Sequence, residues 1–338
     1  MAQPAPAIVA AIAEPLRSLF FPHKIASRLA ELGSVRWVDP GRHWAGPGQE
    51  GTALQDADVL VTSWGFPRLD AGLLARAGKL RLVAHTGSSV RFLVSDALFA
   101  RGIHVTQAGA AMARPVAEVS LTFTLALLHQ VQHFDHALRT GQEWSRAKAA
   151  RPRHELAGAA IGVIGASRTG RAYIEMTRAL GARVSVSDPY LTAPEAASLG
   201  VEVRPLDELL ATSRIIAVHA PAIAATHHLL GPRELALLPD GAGLVNTARS
   251  ALVDTDALLV ELRGGRIDAA LDVFDEEPLP TDSPFRDLPN VLLTPHEAGG
   301  PIEARQRAGS IIVDEIGRLL RGESLHHEIT AATLPRLG

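Results

Sequence analysis

The stretch AIGVIGASRTG, residues 160–170, runs from a β-branched apolar segment into RAYIEMTRAL, whose composition is helical. A strand that turns into a helix through Gly165, Ala166, Ser167, Arg168, Thr169 and Gly170 stands where α/β proteins build a dinucleotide turn. Gly165 permits the tight bend and Gly170 permits close packing of helix on strand. The middle position departs from the pattern. Ser167 occupies the place of a second glycine, so its Cβ crowds the phosphates or its hydroxyl donates to one of them. Taken alone, the segment is equally a glycine-rich connection. Asp188 shifts the balance: it ends the next predicted strand, RVSVSD, 23 positions after Gly165, where a carboxylate accepts from the adenine ribose hydroxyls. Its plainer role is that of a turn former in DPY. A carboxylate there also repels a 2′-phosphate, which favours NAD over NADP.

Outward from this turn, short apolar runs alternate with helical stretches. Before it come AIVAAI (7–12), DVLVTSW (58–64), LRLVAHT (80–86) and IHVTQ (103–107); after it come RIIAVHA (214–220), GAGLVN (241–246), RIDAALDV (266–273) and NVLLTP (290–295). Such alternation predicts βαβ units. The fold class is therefore α/β, two Rossmann-like doubly wound parallel-sheet domains, with the strands of the second series buried on both faces. Residues 115–129 have helical apolar spacing and Glu118 in the first turn, and this helix is expected to lead from the first domain into the second. The amphipathic segment 302–323, with Gly322 as its stop, is expected to return to the first domain. The nucleotide domain (109–301) is then inserted in a discontinuous substrate domain (1–108 and 302–338).

Composition removes several classes of function. The chain has 338 residues, 47% of them hydrophobic and 20% charged, with 33 basic and 36 acidic side chains and a net charge of −3. Two domains fit that length, and no basic face points to nucleic acid or an anionic membrane. The absence of cysteine excludes disulfides, thiolate nucleophiles and cysteine-ligated metals. The apolar N-terminus lacks a basic leading segment and is broken by Pro4, Pro6 and Pro15, so it is read as a strand and not as a signal peptide. The run VSLTFTLALL (119–128) is short for a bilayer span, and cytoplasmic residence is expected.

Five further segments occur in order: HELAGAAIGVIGASRTG, VHAPAIAATHHLL (218–230), LVNTARSALVDTDAL (244–258), AALDVFDEEPLP (269–280) and NVLLTPHEAGG (290–300). From about residue 80 onward the chain resembles the D-isomer-specific 2-hydroxyacid dehydrogenases, which include D-lactate, glycerate, formate and phosphoglycerate dehydrogenases. The resemblance implies Arg249 as the catalytic arginine of the NTAR segment, although Ser250 replaces the usual glycine. It implies Glu277, immediately before the proline of the DVFxxEP motif, and His296 of the TPH motif as an acid–base pair. Without the motifs, Arg249 is a strand-end arginine, Glu277 part of a solvated acidic loop and His296 one histidine among 14. Arg249 is expected to hold the substrate carboxylate and polarise the carbonyl. His296 then exchanges the proton, while Glu277 orients the imidazole and stabilises its charged form.

The same resemblance sets Asp272 beside the nicotinamide carboxamide, with an N-cap or turn role as its alternative. It sets His219, Ala220, Pro221, Thr226, Thr247, Ala248 and Gly299 along the cofactor. His219, His227 and His228 lack acidic or cysteine partners at ligand spacing, so no metal is expected. In AHTGSSV, Thr86, Gly87 and Ser88 are the expected donors to the substrate carboxylate. The family's acidic residue after this loop is missing, with Ser89 and Val90 there and Arg91 nearby as a selector of a second anion. His85 and Trp64 are pocket walls or core. The expected protein is an NAD-dependent oxidoreductase of a small 2-oxo or D-2-hydroxy acid, forming a homodimer. The alternatives are an NADP-linked glyoxylate or hydroxypyruvate reductase, and an NAD-sensing corepressor-like binding protein on the same scaffold.

Overall fold

The structure is a computed structural model that describes residues 5–43, 52–148 and 152–336. The chain divides into two compact units, Met1–Met112 with Gly300–Gly338, and Ala113–Gly299. The first boundary falls four residues beyond the expected 108/109. The turn Gly109–Ala111 packs with the helix Ile302–Arg321 of the first unit, and the Arg307 guanidinium donates to the Ala111 carbonyl.

The first unit holds β1 (Ala7–Ala11), β2 (Ser34–Val38), β3 (Val59–Thr62), β4 (Leu82–His85) and β5 (His104–Gln107), all parallel, in the order β2-β1-β3-β4-β5. β3 and β4 are buried along their whole length, as continuous apolar runs between two layers should be. β2 escapes a search for such runs: in SVRWV, Ser34 and Arg36 are exposed on an edge strand with one wet face. The helix Ile302–Arg321 lays Ala308, Ile312, Val313 and Ile316 on Ile8, Phe20 and Leu82, so the C-terminal segment completes this core. Its register requires Gly309, where an added Cβ would collide with the backbone carbonyl of Phe20.

The second unit holds β6 (Ala160–Ile164), β7 (Arg183–Ser187), β8 (Glu202–Val203), β9 (Ile215–Val218), β10 (Gly243–Asn246), β11 (Asp268–Leu271) and β12 (Val291–Leu293). Their order is β12-β11-β10-β9-β6-β7-β8, again all parallel. The order in which successive strands are added reverses between β6 and β9, the switch point at which such sheets bind ligands. β8, a two-residue exposed edge strand, has no signal in the sequence. The stretch Gly109–Leu128 has the length and hydropathy of a membrane span, which the shorter run 119–128 did not suggest, and half of it is buried within the protein. Ala117, Phe123, Leu127 and Leu128 of the helix Ala113–Leu128 are core residues of the second unit.

Among the described residues each unit buries one histidine without a counter-charge. Burial alone lowers the pKa of His85 to about 4 and that of His219 to about 3. The ring of His219 lies against Tyr173, at 5.1 Å between centroids.

Two measurements test this packing. Gly309→Ala should destabilise the first unit by about 1–3 kcal/mol despite alanine's better helix propensity, because the Phe20 backbone cannot move aside cheaply; an unchanged or raised urea midpoint would contradict the packing. For the histidines, the folded pKa lies below the unfolded 6.5, so the unfolded chain binds the extra proton. Their stabilising contribution is complete above pH 6.5 and is lost as pH falls toward about 4 for His85 and about 3 for His219. His219→Phe keeps a ring against Tyr173 and removes one titration. Its unfolding free energy should therefore fall between pH 7 and pH 5 by about 2 kcal/mol less than that of the parent chain. Equal falls would show that His219 is not buried neutral.

Candidate active site

Because every strand of the second sheet runs the same way, the turns after β6, β7, β9, β10, β11 and β12 share one edge. At the switch point the backbone layers are very close. Gly165 has φ 93°, and a Cβ there would come within 2.6 Å of the Ala220 nitrogen; a Cβ on Gly170 would collide with the Gly165 carbonyl. Both glycines are thus sterically required, and His219, Ala220 and Pro221 cross directly over the turn.

Ser167, the departure from the glycine pattern, is the N-cap of the helix Arg168–Ala179. Its Oγ accepts from the Gly170 N–H at 3.2 Å, and its own proton remains available to donate. Arg168, the first helical residue, is exposed, with no hydrogen-bond or ionic partner among the described residues. A cation at a helix N-terminus is disfavoured by about 0.3–1 kcal/mol, and a diphosphate on the same N–H groups would reverse that sign. Asp188 at the end of β7 accepts from the Ala166 N–H at 2.7 Å and the Tyr190 N–H at 2.8 Å. It therefore ties the turn to β7 while each oxygen keeps a lone pair for a ribose hydroxyl. These residues fit a dinucleotide. Thr169 lies in the helix's first turn, and Thr226 braces the loop after β9 by donating to the Pro221 carbonyl at 2.6 Å.

At the other end of the edge, His296 and Glu277 meet: Nδ1 of His296 lies 2.7 Å from Oε2 of Glu277. A carboxylate only accepts, so Nδ1 carries the proton and Nε2 is the nitrogen left for exchange. The second carboxylate oxygen accepts from the Phe274 N–H at 3.0 Å, which fixes Glu277 to the loop after β11. His296 adopts φ 54°, a left-handed conformation that costs a side-chain-bearing residue. Asp272 holds it there. Only 1% exposed, this carboxylate accepts from the Thr294 hydroxyl and from the N–H groups of Glu297 and Ala298, each at 3.0 Å. Asp272, which the resemblance sets beside the nicotinamide carboxamide, directs these bonds to the loop that carries His296 and leads on to Gly299.

Arg249 follows β10. Asn246 pins its turn, donating to the Arg249 carbonyl at 2.9 Å and accepting from the Ala248 N–H at 3.0 Å, and Thr247 lies 2.7 Å from the Ser120 hydroxyl. Burial lowers the Arg249 pKa, with the nearby Glu277 charge acting against the shift. Its guanidinium stays protonated and is poorly hydrated, a state suited to gripping a carboxylate. Asn246 and Thr294 were missed as supports, although both lie inside the quoted motifs. Among the described residues no group of three or more histidine or acidic side chains could hold a metal ion; His227 and His228 are stacked at 4.0 Å.

In the first unit, the loop after β4 corrects one expectation. The Thr86 N–H donates to the Thr62 carbonyl at 2.9 Å, continuing the sheet, so its backbone is not a free donor. The N–H groups of Gly87 and Ser88 make no hydrogen bond among the described residues.

The chain is similar to known proteins in sequence and in fold. Residues 121–298 match the family described as D-isomer specific 2-hydroxyacid dehydrogenase, NAD binding domain. The chain is 35% identical over 285 residues to D-3-phosphoglycerate dehydrogenase of Methanocaldococcus jannaschii, covering 84% of this chain but 53% of that protein, so it spans about half of that relative's length. It is 34% identical over 274 residues to glyoxylate reductase of Aeropyrum pernix, covering 80% of this chain and 82% of the reductase. Apo D-mandelate dehydrogenase of Rhodotorula graminis superposes with a TM-score of 0.85 at 23% identity, over 96% of this chain and 98% of that one, a likeness of fold. With two parallel α/β sheets, an NAD-binding unit and a relative matched over most of its length, the chain belongs to the D-isomer specific 2-hydroxyacid dehydrogenase family.

Proposed function

We propose that the protein interconverts a small 2-oxo acid and its D-2-hydroxy acid with NAD, using Arg249, Glu277 and His296. The observation that carries this is the 2.7 Å bond between His296 and Glu277, beside the half-buried Arg249 guanidinium on the same sheet edge as the nucleotide turn. Bound NADH supplies the hydride. Arg249 grips the carboxylate and draws electron density toward the carbonyl oxygen. The Nε2 proton of His296 goes to that oxygen as negative charge develops, and Glu277 stabilises the imidazolium before transfer and fixes the ring throughout. In oxidation, neutral Nε2 takes the hydroxyl proton. Asp188 makes NAD the preferred nucleotide over NADP. Exposed Val131, Leu138 and Trp144, on consecutive helices of the nucleotide unit, supply an apolar face for a homodimer.

NADH oxidation with a series of 2-oxo acids tests the assignment. His296→Ala should lower kcat by roughly 10²–10⁴-fold, and Glu277→Gln by about tenfold through loss of a charge-assisted bond. Arg249→Lys should raise KM and lower kcat together, since an ammonium cannot reproduce the planar fork. Undiminished turnover by His296→Ala would exclude it as the proton donor. Separately, Asp188→Ala should weaken NADH binding by about 1–3 kcal/mol and narrow the preference over NADPH. Equal use of both nucleotides by the unmodified chain would refute that role.

A further inference from the structure

The nucleotide turn and the loop after β7 are joined by more than Asp188. Ala166, a buried residue, is gripped on both of its peptide groups: its N–H donates to Oδ2 of Asp188 at 2.7 Å, and its carbonyl accepts from Nε of Arg171 at 3.0 Å. Just before it, the Gly165 N–H donates to the Ser187 carbonyl at 3.0 Å. Arg171, in the first turn of the helix Arg168–Ala179, makes a second bond, from Nη2 to Oε1 of Glu195 at 2.7 Å. Glu195 belongs to the short helix Ala193–Leu199 that follows the loop after β7. Its other oxygen accepts from the Thr192 N–H at 3.0 Å and from the Thr192 hydroxyl at 2.7 Å. These bonds close a ring, from Ala166 to Asp188, along residues 188–192 to Glu195, and through Arg171 back to Ala166.

The ring contributes little to folding. The Arg171 and Glu195 side chains are 38% and 42% exposed, and an ion pair as wet as that is a weak source of stability. The capping box of Thr192 needs Glu195 but not Arg171. The Thr192 hydroxyl and N–H, and then Arg171, hold the Glu195 carboxyl down at about 2, so it stays ionised throughout the neutral range. What the ring does fix is a spacing. A dinucleotide offers a diphosphate to the turn and a ribose to Asp188, and ordering the two protein groups beforehand spares that cost on binding.

We propose that Arg171 and Glu195 are positioning residues for NAD, a clasp that holds the phosphate turn and Asp188 at the spacing required by the adenosine diphosphate half of the cofactor. The proposal rests on the reading of Asp188 as the ribose acceptor. Arg171 acts through the Ala166 carbonyl, and Glu195 acts through the loop that carries Asp188.

NADH titrated into the full chain and followed by its fluorescence tests the clasp without a substrate. Arg171→Ala and Glu195→Ala should each weaken NADH binding about three- to tenfold, the scale on which neighbouring groups couple. Charge alone predicts otherwise, because removing the cation weakens binding of an anionic dinucleotide and removing the anion strengthens it. Opposite signs in the two variants therefore overturn the inference. Arg171→Lys keeps the charge and loses the fork, so it should bind NADH as poorly as Arg171→Ala. Parent-like affinity in the lysine variant also overturns the clasp. A purely structural role would lower the urea midpoint of the free protein and leave the NADH affinity of the folded protein unchanged, which rejects positioning. Asp188→Ala separates the clasp from the ribose reading. Weaker NADH binding in Asp188→Ala, with the clasp variants unaltered, keeps the ribose contact and rejects the clasp. If Asp188→Ala is inert, the ribose contact is wrong; losses in the clasp variants then uphold positioning of the phosphate turn through Ala166, and no loss rejects both.

Discussion

The sheet edge that carries Glu277 and His296 depends on how one buried charge, Asp272, is satisfied. A carboxylate with 1% exposure is tolerable only with a full set of donors, and three of them come from residues 294–298. That requirement makes the loop after β12 fold back over the end of β11. The turn puts His296 in a left-handed conformation and brings Nδ1 to Glu277, which is itself held by the Phe274 N–H of the loop after β11. Acid–base geometry thus follows from a satisfaction problem one residue beyond a strand, and not from any intrinsic preference of His296 for its position.

A second constraint acts at the switch point, where the chain after β9 passes so close over the turn after β6 that neither Gly165 nor Gly170 has room for a side chain. Relief of crowding at those two positions leaves the middle position free to vary. Ser167 uses that freedom to cap a helix whose first residue, Arg168, opposes the dipole. The turn therefore accepts a local electrostatic penalty where a diphosphate would remove it. Asp188 ties the same turn to β7 through the Ala166 N–H and accepts from the Tyr190 N–H as well.

How much was legible beforehand depended on whether a feature is local. Ten of the twelve strands among the described residues were legible, most of them as apolar runs because a parallel sheet covered on both faces leaves little polar alternation, with β7 (RVSVS) as an alternating exception. β2 and β8 are edge strands, and an edge strand's sequence reports its wet face as much as its pairing. The family's ordered motifs marked Arg249, Glu277 and His296, and the structure brings Glu277 and His296 into hydrogen-bond contact. Bond partners were beyond reach: the commitment of the Thr86 N–H to Thr62, the cap made by Ser167 and the loop held by Asp272 are tertiary facts about groups whose residue type fits several roles. The unit boundary shifted for the same reason, since Arg307, nearly two hundred positions away, fixes Ala111 in the first unit.

Three histidines at carboxyl-edge positions show why residue type alone could not assign chemistry. His85 and His219 end strands or follow them directly, but both are desolvated, without a facing carboxylate, and are held neutral. A proton placed on either would be a buried, unpaired charge, so neither can cycle between acid and base at modest cost. His296 differs on both counts. Its side chain is 44% exposed, and it faces a carboxylate at 2.7 Å, so water and a counter-charge are both at hand for the imidazolium. The fold thus separates two settings of one side chain: imidazoles that pack lie inside the units, and the imidazole with both water and a carboxylate beside it stands at the surface on a left-handed turn.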